Sequence, residues 1–313
     1  MEKSVANGLS EQLQKNRRKR VVLNNVEGLA MAILPFLGYV LFGLVPMIIS
    51  LVVSFTDLHS YNISMATFAG FGNYIKLFQM PLVGKAVWNT LLYCLSVPIN
   101  MIVSLFIAQL LTKSIKGKYG IRVVLYIPSV CSTVAISLAW CWIFEPNYGV
   151  INTVLTHLGL GKIPFMTDPR YFMPSVLIIC LWQGGTNIVL MQSALASVST
   201  ELKEAALLDG ATGRQVFFKI VFPLITPTLF YLLITNLLGA LQNTAMMQII
   251  AVNGVGPDYA ALTLSYYIYR MAFINTATEG LGLACALTWV MSIGVLLITF
   301  LNFKLSKKWV YYD

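Results

Sequence analysis

The chain has 313 residues, of which 58% are hydrophobic and 11% charged, and its mean hydropathy is +0.75. Soluble domains carry roughly 25% charge, so the composition excludes a water-solvated globule and points to a core formed in the bilayer interior. The net charge of +9 calls for no nucleic-acid partner, because basic residues gather where an anionic inner leaflet attracts them.

In chain order, residues 1–28 form a basic tail carrying Lys3, Lys15, Arg17, Arg18, Lys19 and Arg20. The charge-free window Leu29–Thr56 follows. It is too long for a signal-peptide core and has no clear small-residue cleavage site, so it is expected to stay as a spanning helix. Five more charge-free windows follow: Ala86–Thr112, Val123–Phe144, Tyr171–Thr200, Ile220–Pro257 and Gly280–Phe303. Crossing a ~30 Å hydrocarbon layer takes about 20 helical residues, so each window is long enough. The polar ends of the fourth and fifth are expected to be loops. Cys94, Cys131, Cys141, Cys180 and Cys285 all lie inside windows, without ligand spacing, and are expected to pack as small apolar residues. His59 and His157 fall singly in loops, so no metal or redox site is proposed.

With the N-terminus inside, sixteen Lys and Arg residues fall on the cytoplasmic side: the six of the tail, then Lys113, Lys116, Lys118, Arg122, Lys203, Arg214, Lys219, Lys304, Lys307 and Lys308. Five remain outside: Lys76, Lys85, Lys162, Arg170 and Arg270. The positive-inside rule then places both termini in the cytoplasm.

Polar groups at membrane depth must face another helix or a wet cavity. In the third window Ser129, Ser132, Thr133 and Ser137 share a helical face and read first as glue between helices. Trp182, Gln183 and Asn187 in the fourth window, with Asn236, Gln242 and Asn243 in the fifth, are expected to form an uncharged lining. Amides match the hydroxyl edges of a sugar, and an aromatic ring matches its C–H face. Gly184 and Gly185 permit either a kink or close packing. No Asp, Glu, Lys, Arg or His sits deep in a window, which disfavours a proton relay, and the phosphate-cradling G-x-x-x-x-G-K-[ST] pattern is absent. The chain is therefore not expected to be an enzyme or to hydrolyse ATP itself.

Between the fourth and fifth windows, Ser199 through Leu208 carries helix formers and an early acid, so a short cytoplasmic helix is expected to start near Glu201. Gly210 suits a left-handed stop, and Thr212 with Gln215 fits a capping box for a second short helix running toward Pro223. Glu204-Ala205-Ala206, three residues, Gly210, nine residues and Ile220-Val221-Phe222-Pro223 resemble the EAA loop of ABC importer permeases, with Phe222 where that pattern usually has Leu. The variant with Asp209, Gly210 and Ala211 is similar to the binding-protein-dependent sugar branch related to maltose permease, in its minimal six-helix form.

The resemblance implies an all-α polytopic membrane protein: a permease domain over residues 29–304, an EAA loop at about 199–223, and a cytoplasmic tail at 305–313. It implies that Glu204, Ala205, Ala206, Asp209 and Gly210 couple to a cytoplasmic ATPase. The expected partners are a second homologous permease, two copies of an ABC ATPase holding ATP and Mg, an extracytoplasmic solute-binding protein, a saccharide, and the lipid of a bacterial cytoplasmic (inner) membrane. No cofactor is expected on this chain. A self-contained secondary transporter of a small neutral solute is the alternative; it would need coupling sites and usually an inverted repeat.

Overall fold

The computed structural model describes residues 28–62, 64, 66–112 and 115–311. The basic tail at 1–27, including the run at 15–20, and Lys113 lie outside the described residues. Among the described residues, four helices are long and apolar enough to cross a membrane: α1 (Gly28–Ser54), α3 (Pro81–Thr112), α10 (Gly213–Gln242) and α14 (Leu281–Ser306). Two bent pairs raise the number of spans to six: α4 (Lys118–Val130) with α5 (Thr133–Ile143), and α7 (Pro169–Trp182) with α8 (Gly185–Ser197). Between spans lie the short helices α2 (Gly72–Gln79), α6 (Val150–His157), α9 (Thr200–Leu208), α11 (Ala245–Ile250), α12 (Leu264–Tyr269) and α13 (Thr276–Glu279).

Two apolar clusters hold the bundle. One, at the end where α10 stops and α14 begins, packs Tyr93, Phe144, Phe172, Met246, Tyr266 and Leu287. The other lies at the opposite end, where Leu111 of α3, Leu195 of α8 and Val216, Ile225 and Leu229 of α10 meet Trp309. The residues after α14 close this second cluster, with Tyr311 donating its backbone N–H to Thr226 Oγ1 at 3.0 Å. At the first end Asn73, almost fully buried, donates to the carbonyls of Ser54 and Thr56 at 2.9 and 2.8 Å. These are carbonyls at the end of α1, so one amide caps the groups the helix leaves unpaired.

Prolines at 46 and 223 lie inside continuous spans because a π-helical turn precedes each: Val40–Leu44 and Phe217–Val221. The wider register relieves the clash and the missing donor that proline brings. The second short helix expected to end near Pro223 is corrected by this. The capping box of Thr212 and Gln215 is present, but the helix it opens runs on past the proline as α10 to Gln242.

Two further expectations change. The chain turns by 103° between α4 and α5, with extended backbone at Cys131 and Ser132. The hydroxyls of residues 129 to 137 therefore straddle a corner, and do not share one helical face. Beyond Gln242 the fifth window is not simply a loop, since α11 buries Met246, Met247 and Ile250 in the bundle against α5.

The α7–α8 pair bends by 49° at Gly184 and Gly185, and both glycines are also close-packing positions. A Cβ on Gly185 would lie 2.5 Å from the Leu125 carbonyl oxygen and 2.9 Å from Tyr126 Cα. Gly185→Ala is therefore expected to cost about 1–3 kcal/mol by overpacking against backbone that cannot move aside. Gly120→Ala, where a Cβ meets nothing within 4 Å, should be neutral or slightly stabilising. Thermal unfolding of the purified variants in detergent checks the pair: a clear fall in Tm for Gly185→Ala only.

Candidate functional site

Three helix interruptions converge near mid-span. At the α4–α5 corner, at the α7–α8 bend and at the end of α10, backbone groups leave the regular ladder, and polar side chains gather beside them. Two open cavities result. One, of about 350 Å³, is lined by Ser129, Cys131, Thr133, Thr186 and Tyr231 among others. Its neighbour, of about 300 Å³, is lined by Tyr93, Ser96, Asn100, Cys180, Gly239 and Asn243 among others. Gln183, Asn187, Thr235 and Asn236 border both, so the two form one polar region. Neither lining contains a charged side chain. A larger apolar groove of about 630 Å³ runs between α3 and α14, but it has none of this convergent polarity and faces the side of the bundle.

A ladder of amides holds the polar region together. Asn187 Nδ2 donates to Asn100 Oδ1 at 2.8 Å, and Asn236 Nδ2 donates to Asn187 Oδ1 at 2.9 Å. Ser104 Oγ donates to Asn100 Oδ1 at 3.1 Å. Farther along, Asn243 Nδ2 donates to the Tyr93 hydroxyl at 3.0 Å, while Asn243 Oδ1 accepts from Met246 N–H. The Gln183 amide differs: it borders both cavities, and no described residue hydrogen-bonds its side chain.

Of the six lining residues expected from sequence, four meet here: Gln183, Asn187, Asn236 and Asn243. Asn243 does so from an extended C-cap position, not from the helix itself. The other two do not border the cavities. Trp182 is half exposed and packs edge-on against Trp140 with centroids 5.7 Å apart, and Gln242 ends α10 on an exposed face. Sequence reasoning passed over Tyr93, Ser96, Asn100 and Ser104. They recur at helical spacing along α3, and the signal was there to be read, but in a window without charges they pass for ordinary packing residues. Cys131, expected as a packing residue, is exposed at the α4–α5 corner and borders the first cavity.

At the end of the bundle marked by Trp309, α9 lies against the second cluster through Ala206, and Lys203 donates to the Leu195 carbonyl at 3.4 Å. Ser199 caps its N-terminus by accepting the Glu201 N–H, and Gly210 takes φ +83° to end it. None of its residues is buried, and Leu207 and Leu208 are 53% and 89% exposed. Glu204, Ala205, Asp209 and Gly210 are exposed on this short helix and its stop, whereas Ala206 is half-buried against the apolar cluster of Leu195 and Val216.

A bundle of membrane-crossing helices with broken spans around an uncharged mid-span cavity defines a multi-pass solute permease. The sequence profile described as "Binding-protein-dependent transport system inner membrane component" matches residues 100–310, and the chain belongs to that family of ABC importer permeases. It is similar to the "Probable ABC transporter permease protein YesP" of Bacillus subtilis, with 33% identity over 299 residues covering 93% of each chain. It is also similar to the multiple sugar-binding transport system permease protein MsmF of Streptococcus mutans, with 31% identity over 92% of this chain and 98% of that one. The sn-glycerol-3-phosphate permease UgpA of Yersinia pestis matches at 31% over 79% of this chain and 82% of that one. In fold, the chain resembles a subunit of a bacterial alginate ABC transporter solved with an alginate pentasaccharide-bound periplasmic protein. The TM-score is 0.76, with 24% identity and 89% and 93% of the two chains covered.

The ladder separates structural amides from free ones. Asn187→Leu removes a partner from both Asn100 and Asn236 in a buried setting and should cost ~1–3 kcal/mol. Gln183→Leu breaks no internal bond and should leave stability unchanged. Thermal unfolding in detergent, with Tm lowered for Asn187→Leu alone, is the expected result.

Proposed function

We propose that the chain is a transmembrane subunit of an ATP-driven, binding-protein-dependent importer of a sugar or oligosaccharide. The observation that carries the saccharide reading is the pair of joined cavities, rich in amides and hydroxyls and free of charged side chains. An uncharged polyhydroxylated solute finds hydrogen-bond partners there, whereas a phosphate or carboxylate would lose its hydration without gaining a counter-charge. Gln183, Asn187, Asn236 and Asn243 form the solute pathway in this chain, with Gln183 the most available contact. The sugar-binding name of MsmF supports the same substrate class, and the name of UgpA supplies the anionic comparison.

Coupling follows from continuity. Glu204, Ala205, Ala206, Asp209 and Gly210 form a docking knob for a cytoplasmic ATPase, two copies of which hold ATP and Mg. The exposed Leu207 and Leu208 give that partner an apolar foothold. From the knob, α10 runs unbroken from Gly213 to Gln242, so a displacement at its root reaches Asn236 about 35 Å away along one helix at ~1.5 Å per residue. A second homologous permease completes the pathway, and an extracytoplasmic binding protein delivers the solute. The periplasmic protein solved together with the alginate transporter supports that last role. The assembly sits in a bacterial cytoplasmic membrane with both termini inside.

Two experiments test this. Gly210→Val places a β-branched residue at φ +83°, a strain of about 1–3 kcal/mol at the stop of α9. The variant should insert normally yet lose solute-stimulated ATPase activity in the reconstituted complex; wild-type stimulation would remove the coupling role. For orientation, a membrane-impermeant thiol reagent should label cysteines introduced at Tyr61 and Gly161 in intact cells, and those at Lys116 and Arg214 only after permeabilisation. The reverse pattern would invert the topology.

A further inference from the structure

We propose that Asn100 is a positioning residue for solute recognition: it determines which atom of Asn236 is presented to the cavity. The inference rests on the saccharide-pathway reading above.

The α7–α8 bend leaves one backbone carbonyl short of a donor. In an unbroken helix the Cys180 carbonyl would accept from the N–H of Gly184. Here Gly184 N–H turns to the Leu181 carbonyl at 3.1 Å, which leaves the Cys180 carbonyl without its helical donor in a place where water is scarce. Asn100 Nδ2 supplies the bond at 2.8 Å. The side chain fits there because residue 184 is glycine; a Cβ at that position would lie 2.8 Å from Asn100 Nδ2.

That contact fixes the polarity of everything beyond it. With Nδ2 committed to Cys180, Asn100 turns Oδ1 the other way, where it accepts from Ser104 Oγ and Asn187 Nδ2. Asn187 must then offer Oδ1 to Asn236, whose Nδ2 donates both to it at 2.9 Å and to the Leu232 carbonyl at 2.8 Å. An amide nitrogen has two N–H bonds, and both are used. Asn236 Oδ1 is therefore the group left for the cavity, an acceptor aimed at a solute hydroxyl. Asn100 is 8% exposed, so it acts on the solute through Asn187 and Asn236 and not by broad contact of its own. Without Asn100, Asn187 can flip to offer Nδ2 to Asn236 Oδ1; only the Leu232 carbonyl then holds the Asn236 Nδ2, and the new bond turns Asn236 Oδ1 away from the cavity. A sugar hydroxyl both donates and accepts, so binding would persist but in an altered pose.

The test uses the whole complex in proteoliposomes: this chain, its partner permease, the ATPase and the binding protein. Tritium-labelled glucose, maltose, cellobiose and raffinose are the probes, and the readout is saccharide accumulated per ATP hydrolysed. Asn100→Leu, which keeps asparagine's branching without its hydrogen-bonding atoms, should lower that ratio about two- to tenfold, the range expected for one misdirected hydrogen bond. Asn236→Leu should lower it similarly, and the double variant should be no worse than Asn236→Leu alone, since Asn100 acts through Asn236. Independent, multiplicative losses would overturn the proposal, as would an unchanged ratio in Asn100→Leu accompanied only by a lower Tm. Should Asn100→Leu fail to assemble, Gly184→Ala, whose Cβ would crowd Asn100 Nδ2 off the Cys180 carbonyl, should lower the ratio about twofold; no change there overturns the proposal equally. If Asn236→Leu leaves the ratio unchanged, the cavity reading falls and the proposal with it. If Asn236→Leu lowers the ratio and Asn100→Leu does not, the proposal alone falls.

Discussion

Hydrocarbon offers no hydrogen bonds, so every backbone group freed by a break in a membrane helix must find a partner within the protein. This constraint organises the molecule. The α4–α5 corner, the α7–α8 bend and the end of α10 each leave the regular ladder, and amides and hydroxyls collect at all three. Asn100 answers the Cys180 carbonyl, Asn243 answers the Met246 N–H, and Asn73 does the same for the end of α1. A permease needs polarity at mid-span without charge, and the breaks supply both the space and the polar groups to fill its walls.

The unbroken helices have a different task. α10 is rooted in the capping box after Gly210, braced by Val216, Ile225 and Leu229 against α8 and by Trp309 from the C-terminus. Its π-helical turn lets Pro223 sit inside a continuous span, and in the proposed coupling that continuity is what carries motion past its base. A rigid lever ending in a cavity wall is what an externally powered transporter requires, whereas a transporter driven by an ion gradient would place ionisable groups in the pathway. The cavity linings hold no Asp, Glu, Lys, Arg or His.

Much of this was legible in the sequence. Charge-free windows marked the spans, because burying charge in lipid is costly enough to dominate composition. Gly210, Thr212 and Gln215 marked the end of α9 and the start of α10, because cap chemistry is local. The long-range features were harder to read. The corner at Cys131 and Ser132 has no glycine, and Pro128 alone could equally have been tolerated inside a helix. Asn100 and Tyr93 became part of the site only through contacts with residues at least eighty positions away. Trp182 and Gln242 were credible lining residues by type, but the bend and the end of α10 turned them elsewhere. Helical periodicity predicts a face only as far as the helix continues.

The most direct test of the account is the energy source and solute preference of the reconstituted complex, measured as accumulation in proteoliposomes supplied with the binding protein. ATP on the ATPase side should drive accumulation of a neutral saccharide in the absence of any ion gradient, with sn-glycerol 3-phosphate and uronate oligosaccharides accumulated far less. Accumulation driven by a proton or sodium gradient without ATP, or confined to the anionic solutes, would contradict it.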